Sequence, residues 1–181
     1  MGGLRLCYMS IEDQINDAIF EGDCQRIDIL LAGRDVNAGR GDDNWLRSAL
    51  FGITYAPNPK VVEYLIRRGV NVNARDRFGW TPMHYSARKK SPAADPALST
   101  ACVKLLIDAG ADVNAKDKDG VTPMHRSVFE SPWNLEMIEV LLAAGAKPTD
   151  MFCNFVNAVA DDPEKKAVLA LLLKYGHERH I

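Results

Sequence analysis

From Asn134 to Gly145 the chain reads NLEMIEVLLAAG, with apolar Met137, Ile138, Leu141 and Leu142 at i, i+1, i+4 and i+5. That spacing gathers them on one face of a helix. The glycine ends it, because glycine takes the left-handed conformation that closes helices. The phrase recurs. LLAGRDVNA (30–38), LIRRGVNVNA (65–74), LIDAGADVNA (106–115), LLAAGAKP (141–148) and LLLKYGH (171–177) all carry an apolar run into a glycine. These glycines fall at 33, 69, 110, 145 and 176, in steps of 36, 41, 35 and 31 residues. Self-similarity at this period marks a tandem array, in which each unit leaves an apolar face that only a stacked neighbour can bury.

Each unit has a second, shorter helix. In DGVTPMHRSVFE (119–130) Gly120 ends a turn and Thr122 can cap a helix start. Pro123 stands at the first helical position, where its missing N–H does no harm. GWTPMHYSA (79–87) repeats the arrangement. The unit is therefore turn, short helix, turn, longer helix, and the fold class expected is an all-α solenoid.

TPMHYSA (81–87) and TPMHRSV (122–128) match, with Met for Leu, the T-P-L-H-x-A motif of a unit about 33 residues long, and the chain resembles the ankyrin repeat family. The resemblance covers about residues 11–176. It implies five repeats, approximately 11–34, 35–70, 71–111, 112–147 and 148–176, joined by short hairpin-like loops, with tails at 1–10 and 177–181. The second unit is degenerate. DDNWLRSAL (42–50) replaces the motif, Leu46 and Ala49 are assigned inward, and the hairpin is about one residue short. The first and last units lack the motif, as caps that turn one face to water would; Asp162-Pro163-Glu164 starts a helix in the last. In the ankyrin pattern the Thr and His brace the turn into the short helix, so His84 and His125 are expected to be scaffold. As a metal pair they would stand about 10 Å apart, too far for one zinc ion with ligands at about 2 Å. Asn37, Asn73 and Asn114 of the recurring V-N-A are expected to hydrogen-bond within their own hairpins. At such sites in eukaryotic ankyrin domains the asparagine can also be hydroxylated.

Departures from the period point to surfaces. Thr81 to Thr122 is 41 residues, 8 above the family length, and RKKSPAADPALST (88–100), with Pro92 and Pro96, is expected to hold the excess as an extended loop. GITYAPNP (52–59) and ESPWN (130–134) lengthen the neighbouring units at the same point, which brings Tyr55 and Trp133 to one edge. The second candidate surface is the concave face of hairpin tips and short helices, where the family binds partners. Its expected members are Arg77, Phe78, Trp80, Tyr85 and Arg88 in unit three. In unit four they are Lys118, Asp119, Val121, Arg126 and Phe129, and in unit two Trp45. Trp80 is the sharpest, since exposed Trp, Tyr and Arg dominate interface energetics. Arg77, Arg88, Lys89, Lys118 and Arg126 against Asp119 and Glu130 make a locally positive patch suited to an acidic protein partner.

Composition narrows the class without changing the fold. The chain is 47% hydrophobic and 25% charged with a formal net charge of −2, which fits a folded domain and argues against a dedicated nucleic-acid binder. No apolar run approaches a membrane span, and the N-terminus is too short in apolar residues for a signal peptide. Gly2 lacks the Ser or Thr that myristoylation wants at Leu6. Cys7, Cys24, Cys102 and Cys153 are scattered, as free thiols in the cytoplasm would be. There is no P-loop, G-x-G-x-x-G, H-E-x-x-H or G-x-S-x-G, and Asp117-Lys118-Asp119-Gly120 lacks the rest of a calcium loop. No cofactor or metal is implied. The expected function is binding of a protein partner by a monomer, as an inhibitor or immunity-type antidote, or as an adaptor. A ligand-binding protein or enzyme with 88–100 as a lid over His84, Lys89, Lys90 and Asp95 is the remote alternative. A self-assembling structural role is the third.

Overall fold

A computed structural model describes residues 10–37, 57–88, 95–129, 132–159 and 163–177. Among them run nine helices and no strand: α1 (Ile11–Glu21), α2 (Cys24–Leu31), α3 (Pro59–Arg67), α4 (Pro82–Ala87), α5 (Pro96–Asp108), α6 (Pro123–Arg126), α7 (Leu135–Ala143), α8 (Asp150–Ala158) and α9 (Pro163–Lys174). Helix α1 packs on α2. Helices α4, α6 and α8 stack into an inner layer, and α3, α5, α7 and α9 into an outer one. This is a two-layer helical solenoid. None of the described helices is long and apolar enough to cross a membrane.

The apolar phrase of each unit supplies the outer layer's buried face: Val61, Val62 and Leu65 in α3, Cys102, Val103 and Leu106 in α5, Met137, Ile138, Leu141 and Leu142 in α7, Val168 and Leu172 in α9. Burying each such side chain stabilises by about 1.5–3 kcal/mol. The inner layer contributes Met83, Met124 and Phe152, all essentially inaccessible. The five repeated glycines all have positive φ, from 70° at Gly33 to 86° at Gly145, as left-handed closure of the outer helices requires. The described cysteines are unpaired, and burial pushes the Cys102 thiol up to about 12.

Thr81 and Thr122 cap α4 and α6, with Pro82 and Pro123 in the first turn. His84 Nδ1 accepts from Thr81 N at 3.1 Å and lies 2.9 Å from Thr81 Oγ1. That leaves the ring proton on Nε2, which donates to the Val121 carbonyl of the next unit at 3.0 Å. One imidazole thus closes its own cap and ties unit three to unit four.

Two expectations about the loops change. The V-N-A asparagines reach across units. Asn37 Nδ2 donates to Gly69 O (3.1 Å) and its Oδ1 accepts from Asn71 N (2.6 Å). Asn73 does the same with Gly110 and Asp112, and Asn114 with Gly145 and Lys147. Each asparagine satisfies the carbonyl of the glycine that ends the next outer helix, a group orphaned by helix geometry. Pro96 belongs to helix α5, not to an extended loop. Asp95 accepts from Ala97 N and proline is tolerated in the first turn. Part of unit three's excess therefore lengthens α5 to 13 residues, against 9 in α3 and α7. Trp45, Tyr55, Leu46, Ala49, Lys89, Lys90, Glu130, Asp162 and most of the two tails lie outside the described residues.

The hairpins of units three and four are in backbone contact. Lys118 N donates to Phe78 O at 3.0 Å, and Arg75 Nη1 to the Gly79 and Lys116 carbonyls. Gly79 (φ 79°) sits at the contact, where a Cβ would stand 3.0 Å from Lys118 N; Gly120 (φ 77°) faces open space. Both substitutions to alanine impose the left-handed penalty of about 1–2 kcal/mol. Gly79→Ala is expected to cost about 1 kcal/mol or more beyond Gly120→Ala, because the adjacent backbone must also move. Urea denaturation of the two variants measures the difference, and equal costs would mean the hairpins yield freely.

Candidate protein-binding face

The inner face is organised by two buried aspartates at equivalent places. Asp76 Oδ1 accepts from the backbone N–H groups of Phe78 and Trp80, both at 2.8 Å, and Oδ2 accepts from the Tyr85 hydroxyl at 2.7 Å. In the next unit Asp117 Oδ1 accepts from Asp119 N and Val121 N, both at 2.9 Å, and Oδ2 pairs with Arg126 Nη2. Tyr85 and Arg126 occupy the same place, nine residues after their aspartate. Burial alone would push the Asp117 carboxyl up, but Arg126 and the N–H groups of Val121 and Asp119 outweigh it and hold the group below its ordinary value.

This arrangement corrects the expected surface at three residues, the first being Val121, which is only 6% exposed. Tyr85 is 6% exposed, its ring against Trp80 and its hydroxyl on Asp76. Trp133 is 8% exposed, and its N–H donates to Glu164 of the cap. Tyr85 is packed because its ring is apolar and its hydroxyl finds the Asp76 carboxylate, and Trp133 because its large ring joins the apolar core, its backbone N–H being the donor to Glu164. Arg126 remains partly accessible, but its charge is matched by Asp117, whose side chain is fully buried. The positive lean of the face among the described residues therefore rests on Arg77, Arg88 and Lys118, against Asp119.

What does reach the surface is a continuous band. Trp80 is half-buried, with the Arg88 guanidinium 5.6 Å from its ring centroid and that of Arg126, from the next unit, at 4.1 Å. Arg126 also lies 5.2 Å from Phe129, which is 41% exposed. Phe129 stacks on His125 at 4.9 Å and meets Phe155 of the last unit edge-on at 5.6 Å. Arg88, Trp80, Arg126, Phe129 and Phe155 thus form one strip over three units. Phe78 is half exposed beside it, with Arg77 over its ring at 4.7 Å. Lys118 and Asp119 are exposed at the hairpin tip. Phe155 was not foreseen. Its signal is present in MFCNFVNA (151–158), where Phe152 and Phe155 are three apart. The capping helix carries no T-P-x-H to fix which of the two turns inward.

His125 differs from His84. It is buried, and neither ring nitrogen has a hydrogen-bond partner; the ring lies among Phe129, Phe152 and Phe155. Burial pushes both histidines below the ordinary imidazole value, so both are neutral near pH 7.

A family model described as "Ankyrin repeats (many copies)" matches residues 53–94 and 99–142, and one described as "Ankyrin repeat" matches residues 78–118. No curated protein matches the sequence.

Proposed function

This chain belongs to the ankyrin repeat family, whose members are typically protein–protein interaction modules without catalysis, and on that premise we propose that it binds a protein partner across the band from Arg88 to Phe155, as a cytoplasmic monomer acting as an inhibitor or immunity-type antidote. The observation that carries this reading is Trp80, half-buried between two guanidiniums, continued by exposed Phe129. Aromatic and arginine side chains held in place lose little conformational freedom on docking, so more of the contact energy appears as affinity. Arg77, Arg88 and Lys118 around the band, without an ion pair among the described residues, suit a partner with an acidic rim.

The test uses Trp80→Ala and Phe129→Ala, which leave Asp76 and Asp117 satisfied. Each is expected to weaken the captured partner by about 2 kcal/mol, roughly thirty-fold in Kd, with the helical circular dichroism unchanged. Tyr85→Ala and Arg126→Ala would be poor probes, since they strip a hydrogen bond from a buried carboxylate. Full affinity in the double variant refutes the band as the interface. Loss of the partner's activity on stoichiometric binding distinguishes an inhibitor from an adaptor, which would leave that activity intact and recruit a third component.

A further inference from the structure

Between units three and four, where α4 and α6 end and α5 and α7 begin, lies a cavity of about 230 Å³. Its walls include Ser86 and Arg88 from the end of α4, Pro96 from α5, and Trp133, Asn134 and Met137 around the start of α7. Two of these groups lack an internal partner. Ser86 is 2% exposed and its hydroxyl makes no hydrogen bond. That is not forced by its place in the repeat. Ser127, the equivalent residue of unit four, donates its hydroxyl to the Met124 carbonyl at 2.6 Å. Buried hydroxyls almost always have a partner, so an orphan facing a cavity needs an explanation. Arg88 is half-buried, and among the described residues its guanidinium forms no ion pair and lies 5.6 Å from the Trp80 ring centroid. Two other polar wall groups are engaged: Ser127 as above, and Asn134, which donates to Pro96 O and Thr100 Oγ1 and accepts from Met137 N; Ser99 of α5 stands half-buried at the rim.

We propose that this cavity is an anchor pocket for a single apolar residue of an acidic partner segment. The side chain would fill the space against Trp133, Met137 and Pro96. A carbonyl oxygen would accept from the Ser86 hydroxyl, and a flanking carboxylate would pair with Arg88. Size selects this occupant. The volume lies below the range of about 300–1,000 Å³ usual for whole small molecules, and above the roughly 150 Å³ that encloses a benzene ring. Charge selects it too, since among the described wall residues the ionic side chain is a cation, Arg88. Arg88 also joins the pocket to Trp80, so a segment seated here would continue onto the band. The inference refines the protein-binding reading above by naming the chemistry of the segment.

The probe is 3-phenylpropanoate, which carries a ring and a carboxylate, titrated into the full-length protein labelled at methionine methyls. Met137 is expected to shift on saturation. 3-Phenylpropanamide, without the charge, and propanoate, without the ring, are expected to bind at least tenfold more weakly. Arg88→Gln should abolish the preference for acid over amide while keeping ring binding, and Ser99→Phe at the rim should block both. Equal affinity for acid and amide in the unaltered protein, or a Met137 methyl that never moves, overturns the pocket. The probes need no partner, so this outcome is separate from the interface test.

Discussion

Asp117→Ala is expected to destabilise the protein by about 3–5 kcal/mol, because it breaks a buried ion pair and orphans its partners. The substitution removes the acceptor of Asp119 N and Val121 N and leaves the Arg126 guanidinium facing an empty site. Its Nε is already buried without a partner, so the side chain has little to fall back on. Against a typical stability of 5–15 kcal/mol the loss is large. Asp117→Asn keeps an oxygen for the two N–H groups and loses only the charge, so a smaller cost of about 1.5–3 kcal/mol is expected. Asp119→Ala, at an exposed position two residues on, should stay within about 0.5 kcal/mol of the starting protein. Urea denaturation provides all three values. If Asp117→Ala and Asp119→Ala cost the same, the pair does not organise the hairpin as described.

Stability is expected to fall steeply as the pH drops below neutrality. His84 and His125 are both held below the unfolded value of 6.5 by burial. The unfolded chain therefore binds protons first on acidification. The stability these groups contribute is fully present above pH 6.5 and is lost as the pH falls through their folded values. Two such groups give a slope of at most about 2.7 kcal/mol per pH unit. At His84, protonation of Nδ1 would also break its bond from Thr81 N. His125→Leu removes an imidazole with no hydrogen bond to lose. It should change stability at pH 7.5 by less than about 1.5 kcal/mol, as a near-isosteric swap does, and roughly halve the slope. Urea titrations between about pH 5 and 8, where imidazoles titrate, read this directly. A slope that survives replacement of both histidines would assign the acid sensitivity to other groups.

The glycine phrase and T-P-x-H were enough to place the helices. Their ends depend on local chemistry: positive φ at glycine, proline in a first turn, and a threonine or asparagine cap. Pro96 was misread because proline both interrupts and initiates helices, and only the Asp95 cap decides which. The candidate site was less legible. Trp80, Arg88, Arg126 and Phe129 do gather on one face, but Tyr85 turns inward to the Asp76 carboxylate and Trp133 into the apolar core. The Asp-to-Tyr and Asp-to-Arg spacing of nine residues was visible in the sequence, yet nothing local says that the ninth side chain returns to the hairpin.

The sequence by itself determined the repeat, the two-helix unit and the inward apolar faces, because each follows from periodicity and backbone preference within about a dozen residues. Only the tertiary structure decided which polar atoms are already satisfied. It joined Asn73 to Gly110, gave His84 a partner in Val121 and His125 none, matched Arg126 to Asp117, and left the Ser86 hydroxyl without a partner. These outcomes depend on the register of one unit against the next. A hydrogen bond is made or lost within a few tenths of an ångström, while sequence spacing fixes only the face on which a side chain stands.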